Sequence, residues 1–345
     1  MAITSLDGLI AGMKSPDEFY KIGAGTQVVG RPYTPMYANG MPGVMTAPAG
    51  GIQGLGLTSK PTALDFPPAV EGQNIYLARF AGEAINVGTL WLCDRLWENS
   101  GNSATSTNAQ NHFLTANSIT QANPTIITTT AGHGQAAGTF TVHITDSNST
   151  PSIDGTYAAT YVSATEFSIP VNVTNAGNSA VVYIAIPPRD KWGTAVPNGA
   201  SSVYGEDVFL AYEVSGVMGS GTPTFTATYV NSAGVAGRTT PSISFATTMI
   251  LGAFIPIPLA AGDDGIRAIY SHTKNATQTS GTYHLVMYRV LSRIFVAAAG
   301  VGQAVDAITG GFVKAHDNTC PFLVWVPGTT TAPTYLYGQV IWAQG

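Results

Sequence analysis

Charge is scarce in this chain. Lys and Arg number 14 and Asp and Glu 19 among 345 residues, 10% in all, against about 25% in an average protein. The net charge is −5 and the pI near 5.6. No basic run exists, and residues 96–188 hold not one Lys or Arg. A nucleic-acid ligand has to be met by a cationic footprint that displaces its counterions, so direct nucleic-acid binding is excluded as an expectation. Cysteine is nearly absent: Cys93 and Cys320 are far apart in sequence and read as two reduced, buried thiols, not as a disulfide scaffold. No Cys/His spacing suits zinc. Long apolar runs are missing as well. The stretch Met249 to Ala261 is short and carries Pro256 and Pro258, so no membrane span or membrane partner is expected. No basic segment precedes an apolar one at the start, where Asp7 stands. A signal peptide is therefore not expected, and synthesis and folding in a bacterial cytoplasm are.

Hydrophobic residues make up 45% of the chain, enough for a real core and against global disorder. Gly, Ser, Thr, Asn and Ala take the place of charge. Neutral polar surface of this kind costs little to desolvate against a partner.

Leu6, Leu9, Ile10 and Met13 have the spacing of one apolar helix face. Ser15-Pro16-Asp17-Glu18 then reads as the capped start of a second short helix. Residues 22–60 hold nine glycines and four prolines and follow no period. They read as an extended arm whose large side chains, Tyr33, Met36, Tyr37, Met41 and Met45, need a surface to bury them. That surface is either a partner or the chain's own core. A strand is expected near 73–82. Leu90, Cys93, Leu96 and Trp97 predict a helix over 86–98, ended by Asn99-Ser100-Gly101, with Asp94 and Arg95 on its solvated side.

From about Ala116 the chain changes to short Thr/Val/Ile stretches separated by turns such as Asp146-Ser147-Asn148 and Asp154-Gly155. These predict a small Ig-like β-sandwich inserted into a larger domain. Strand patterns resume at Thr224 to Tyr229, Gly281 to Val290, Pro321 to Val326 and Tyr335 to Trp342, with a short helix expected over 301–308. The expected fold is mainly β. It comprises a sandwich or jelly-roll-like body with a few short helices, an extended N-terminal arm, and the inserted module. The expected division is 1–65 for the helices and arm, 66–116 with 187–345 for a discontinuous body, and 117–186 for the insert.

Chemistry is hard to find. Six histidines occur, His112, His133, His143, His272, His284 and His316, with no helical metal-pair spacing. Asp263-Asp264-Gly265 reads as a turn, and neither it nor Glu206-Asp207 has the separation of glycosidase carboxylates. Gly216 to Gly221 lacks the lysine of a phosphate loop, and no G-x-S-x-G occurs. Trp192, Trp325 and Trp342 could line a sugar site, and they could equally be core or interface residues.

Leu90 to Gly101, Tyr229 to Thr239, Gly302 to Gly311 and the ending Gln339 to Gly345 resemble motifs of structural proteins encoded by tailed bacteriophages. Ile119 to Thr130, Gly132-His133-Gly134 and Ala164 to Ser168 resemble Ig-like modules of phage capsid, decoration and tail proteins. Short members of the body family resemble this chain with the insert left out. The resemblance implies a non-enzymatic virion component without cofactor or metal, and it carries no catalytic residues. It fits a capsid decoration or cement protein that binds the major capsid protein and itself, in a cyclic oligomer such as a trimer. The insert would project outward and touch host-surface glycans weakly. A neck, tail or fibre component and a glycan-binding adhesin are the alternatives.

Overall fold

The computed structural model describes residues 5–345 apart from 24, 47–54, 57–61, 69, 100, 109, 136, 185–204, 312, 316–318 and 330–334. The chain is mainly β. Among the described residues one α-helix, Leu6–Gly12, and one 3-10 turn, Pro35–Tyr37, accompany antiparallel strands. The body is built of three sheets. The first runs in the order Gly40–Met41, Asp17–Ile22, Tyr335–Gln344, Ile75–Ala84, Gln303–Asp306. The middle sheet runs Phe254–Ile257, Phe209–Gly216, Thr282–Val296, Gly88–Glu98, Pro321–Pro327. The third contains Arg238–Thr239, Thr224–Asn231, Ile266–Lys274 and Gln110–Asn111.

The middle sheet is covered on both faces. Phe80, Val340 and Trp342 of the first sheet share one core with Leu92, Val286 and Phe322. Phe225, Tyr229 and Ile269 of the third share another with Trp97, Tyr212 and Leu285. Neighbours along a strand thus serve opposite cores, as Ala211 and Tyr212 do. This double burial explains why 86–98 reads as a helix in the sequence. Gly88–Glu98 is a strand whose residues from Cys93 to Glu98 are all buried. A strand buried on both faces shows no alternation, and its apolar run mimics a helix face. Asp94 and Arg95, expected on a solvated side, are fully buried for the same reason.

Two other expected helices are strands. Met13 bridges Ala343, and Lys14 N–H donates to Trp342 O, so the chain leaves the first helix already aligned with Tyr335–Gln344. Asp17–Ile22 then pairs along that strand. Residues 303–306 pair with Ile75–Ala84, and the turn after them is fixed by Asp306 accepting from the Thr309 and Ile308 amides.

Residues 30–34 bridge the two edges of the middle sheet. Tyr33 and Trp325 exchange backbone hydrogen bonds of 2.8 and 2.7 Å on one side. On the other, Thr34 N–H donates to Gly252 O at 2.7 Å and Phe254 N–H to Pro32 O at 2.9 Å. Behind this strap, the Lys21 ammonium is buried against the carbonyls of Ala38, Pro42 and Gly43. Gly40 makes the turn possible: its φ is +133°, and a Cβ there would lie 1.8 Å from Tyr20 O.

Strands Phe113–Ile119, Thr125–Thr129, Thr139–Thr145, Gly155–Ser163, Glu166–Ile169 and Ala180–Ile184 close on themselves as a barrel with its own core, including Ile127, Val142 and Phe167. It meets the third sheet through Tyr183, stacked on Tyr270 at 3.5 Å between centroids, with Val230 and Ala268 beside them.

Candidate interaction surface

The titratable groups that would draw attention as an active site lie inside the body. Arg95 donates from Nε to Glu98 at 2.7 Å and from Nη2 to Glu213 Oε2 at 2.5 Å. His284 Nε2 lies 2.5 Å from the same Glu213 oxygen, and Tyr37 OH is 3.5 Å from that ring nitrogen. Burial alone would raise the Glu213 carboxyl, but the Arg95 guanidinium and His284 beside it hold it well below the usual carboxylate range. Burial lowers His284, against the pull of Glu213. Arg95, Glu213 and His284 are sealed from solvent, so this is an ion network between strands and not a place where substrate can arrive.

The other described histidines are likewise tied into the fold. His112 and His272 stack at 5.0 Å, with His272 Nε2 2.7 Å from Tyr283 OH. His133 Nε2 is 2.8 Å from Ser163 O and accepts the Gln135 amide on Nδ1. His143 contacts Thr156 at 2.8 Å, and burial, with Arg267 nearby, lowers it to about 4. His316 and Trp192 lie outside the described residues. Among the described residues no group of three or more His, Cys, Asp or Glu could hold a metal ion. Asp263 accepts from Tyr229, Asn231 and Arg238, tying its turn to the neighbouring hairpin. Trp325 and Trp342 are core residues.

The arm residues separate cleanly. Tyr33, Met36, Tyr37 and Met45 are buried in the chain's own cores, which corrects their reading as interaction residues. Side chains already packed against the body cannot be offered to a partner. Met41 is 55% exposed.

Met41 belongs to a different feature, the outer face of the first sheet. Alternation along Tyr335–Gln344 sends Leu336, Val340 and Trp342 into the core and Tyr335, Tyr337 and Gln339 outward. One end of this face is covered by the helix, which buries Leu9 on Ile341, Ala343 and Ala78. Leu6 and Ile10 of that helix, and Met13 just beyond its end, are exposed. Leu6 is 56% exposed, Ile10 58% and Met13 42%. Ile308, on the turn beside Ala307, is 65% exposed. At the far end Tyr20, Met41 and Tyr335 form a second apolar group, with the Tyr20 and Tyr335 rings 6.3 Å apart. Between the two ends is a cleft of about 350 Å³ over Ala81, Gly82 and Gly338, walled by Tyr337 and Gln303. The Tyr-x-Tyr-x-Gln alternation of 335–339 was the sequence signal for this face, because large aromatics stand where a solvated strand carries polar groups.

No family model matches the chain, and no curated protein matches it. Among solved structures it is similar to the infectious bursal disease virus VP2 subviral particle at 8% identity, over 86% of this chain and 84% of that one, with a TM-score of 0.14. It is similar to the Gt strain of that virus at 8% identity, over 96% and 82%, again with a TM-score of 0.14. Likeness at that level carries no argument about architecture or role.

Proposed function

We propose that this chain is a structural protein of a tailed-bacteriophage virion, attached to the assembled shell as a decoration protein. The observation that carries the reading is the outward stripe of Leu6, Ile10, Met13 and Ile308. A helix that buries Leu9 and leaves Leu6 and Ile10 exposed, with Met13 exposed beside them, is unfinished as a piece of a monomer, and apolar patches of this kind mark interaction sites. The chain's few charges suit a surface that is desolvated on contact. The sequence resemblance to phage structural proteins supplies the class of partner: the major capsid protein, with further copies of this chain around local symmetry axes. Binding only the assembled shell would stabilise it by mass action. The virion is the location this reading requires.

Quantitative mass spectrometry of purified particles tests it, by counting copies against the major capsid protein. On the order of hundreds of copies is expected for a shell component, while about six to twelve would assign the chain to a neck or tail ring instead. Absence from the particle would end the virion reading.

A further inference from the structure

The cleft on the outer face of the first sheet has the makings of a ligand site. Its volume of about 350 Å³ lies within the usual range for small-molecule pockets, roughly 300–1,000 Å³. The Tyr337 ring, 45% exposed, forms one wall. Glu83, Gln303 and Gln339 line the rest, and their side chains make no hydrogen bond within the described chain. Arg79 stands at the rim, near enough to Asp306 to lower its carboxyl slightly, after the hydrogen bonds from Thr309. The cleft thus combines a flat apolar plate with uncommitted hydrogen-bonding groups of both kinds: carboxylate acceptor, guanidinium donor, and amides that do either. An apolar ligand would leave those groups unused, and an anion would be opposed by Glu83. A pyranose ring suits both features, because its C–H face lies on an aromatic ring while its hydroxyls donate and accept at the edge.

We propose that this cleft binds a saccharide, one sugar ring resting on Tyr337 with its hydroxyls taken up by Glu83, Gln303 and Gln339. The site stands apart from the attachment reading, since the helix stripe lies at the covered end of the sheet and copy number in a particle says nothing about sugar binding.

Gly302 gives a clean test. A Cβ built there meets only Glu83 Oε2, at 3.8 Å, so a larger side chain fills the cleft without disturbing the backbone. The full chain is titrated with maltotriose, cellotriose and chitotriose, using saturation-transfer NMR and calorimetry. At least one probe is expected to bind with a Kd of about 1 mM or tighter. Gly302→Leu and Tyr337→Ala should each weaken that binding by about tenfold or more, while Tyr337→Phe should stay within about threefold. Unchanged thermal melts of these variants certify that the fold is intact. Failure of all three sugars to bind, or binding as tight in Gly302→Leu as in the parent, would overturn the proposal.

Discussion

Glu213 is held ionised inside the body by Arg95 and His284. Removing one member of such a network strands a buried charge, so Glu213→Ala should cost about 3–5 kcal/mol in urea unfolding. The buried histidines set the acid response. Burial lowers His143 to about 4, and burial with His112 and Lys274 lowers His272 well below its ordinary value. Below about pH 6.5 the unfolded chain takes up protons on these rings that the folded chain refuses. Stability is therefore full above that pH and falls as pH drops toward 4. The depressed Glu213 carboxyl acts with the same sign at lower pH, below its unfolded value. His143→Gln should flatten the curve between pH 6.5 and 4 by up to about 3 kcal/mol, read as urea midpoints at several pH values. An unchanged pH profile in that variant would remove His143 from the account.

The elements most legible in the sequence were those with one face in water. Thr224–Asn231 alternates and is a strand, and Tyr335–Gln344 alternates over most of its length. In the middle sheet Thr282–Val296 and Pro321–Pro327 were expected as strands, but Gly88–Glu98 was misread because two cores erase the period. The helix over Leu6–Gly12 stands where the spacing of Leu6, Leu9, Ile10 and Met13 places one, but of these four only Leu9 is buried. The arm had no period to read, since its job is to cross between edges. Tyr33 to Ala38 are buried without interruption. Tyr33→Ala should accordingly cost about 3–5 kcal/mol, in the range of large aromatic truncations. The barrel of 113–184 offers the opposite expectation. It closes its own hydrogen bonds and encloses its own core, so excision of 117–186 with a short Gly/Ser joint should leave the body cooperatively folded in a thermal melt. Loss of that transition would show that the two share stability.

For the whole molecule, attachment and stability separate. The side chains of Leu6, Ile10 and Met13 are exposed, so replacing all three with Ser should change the melting temperature little and reduce copies per particle by about tenfold or more. An unaltered copy number would move the contact to another surface. The saccharide cleft and the buried network escaped the sequence reading for a common reason. Both are assembled from residues far apart in the chain, Glu83 with Gln303 and Gln339, and Arg95 with Glu213 and His284. Only the sheet order brings them together.

The strap of residues 30–34 also fixes a timetable. It leaves the ribosome long before the segments it docks against, since the gap it fills lies between residues near 253 and 325. For most of translation it has nowhere to dock, and contacts of such long range form slowly. The barrel, whose strands are contiguous from 113 to 184, can finish while the body still waits. Residues made before their partners are thus among the last to settle, and a ribosome stalled before residue 325 would carry a folded insert on an unclosed body.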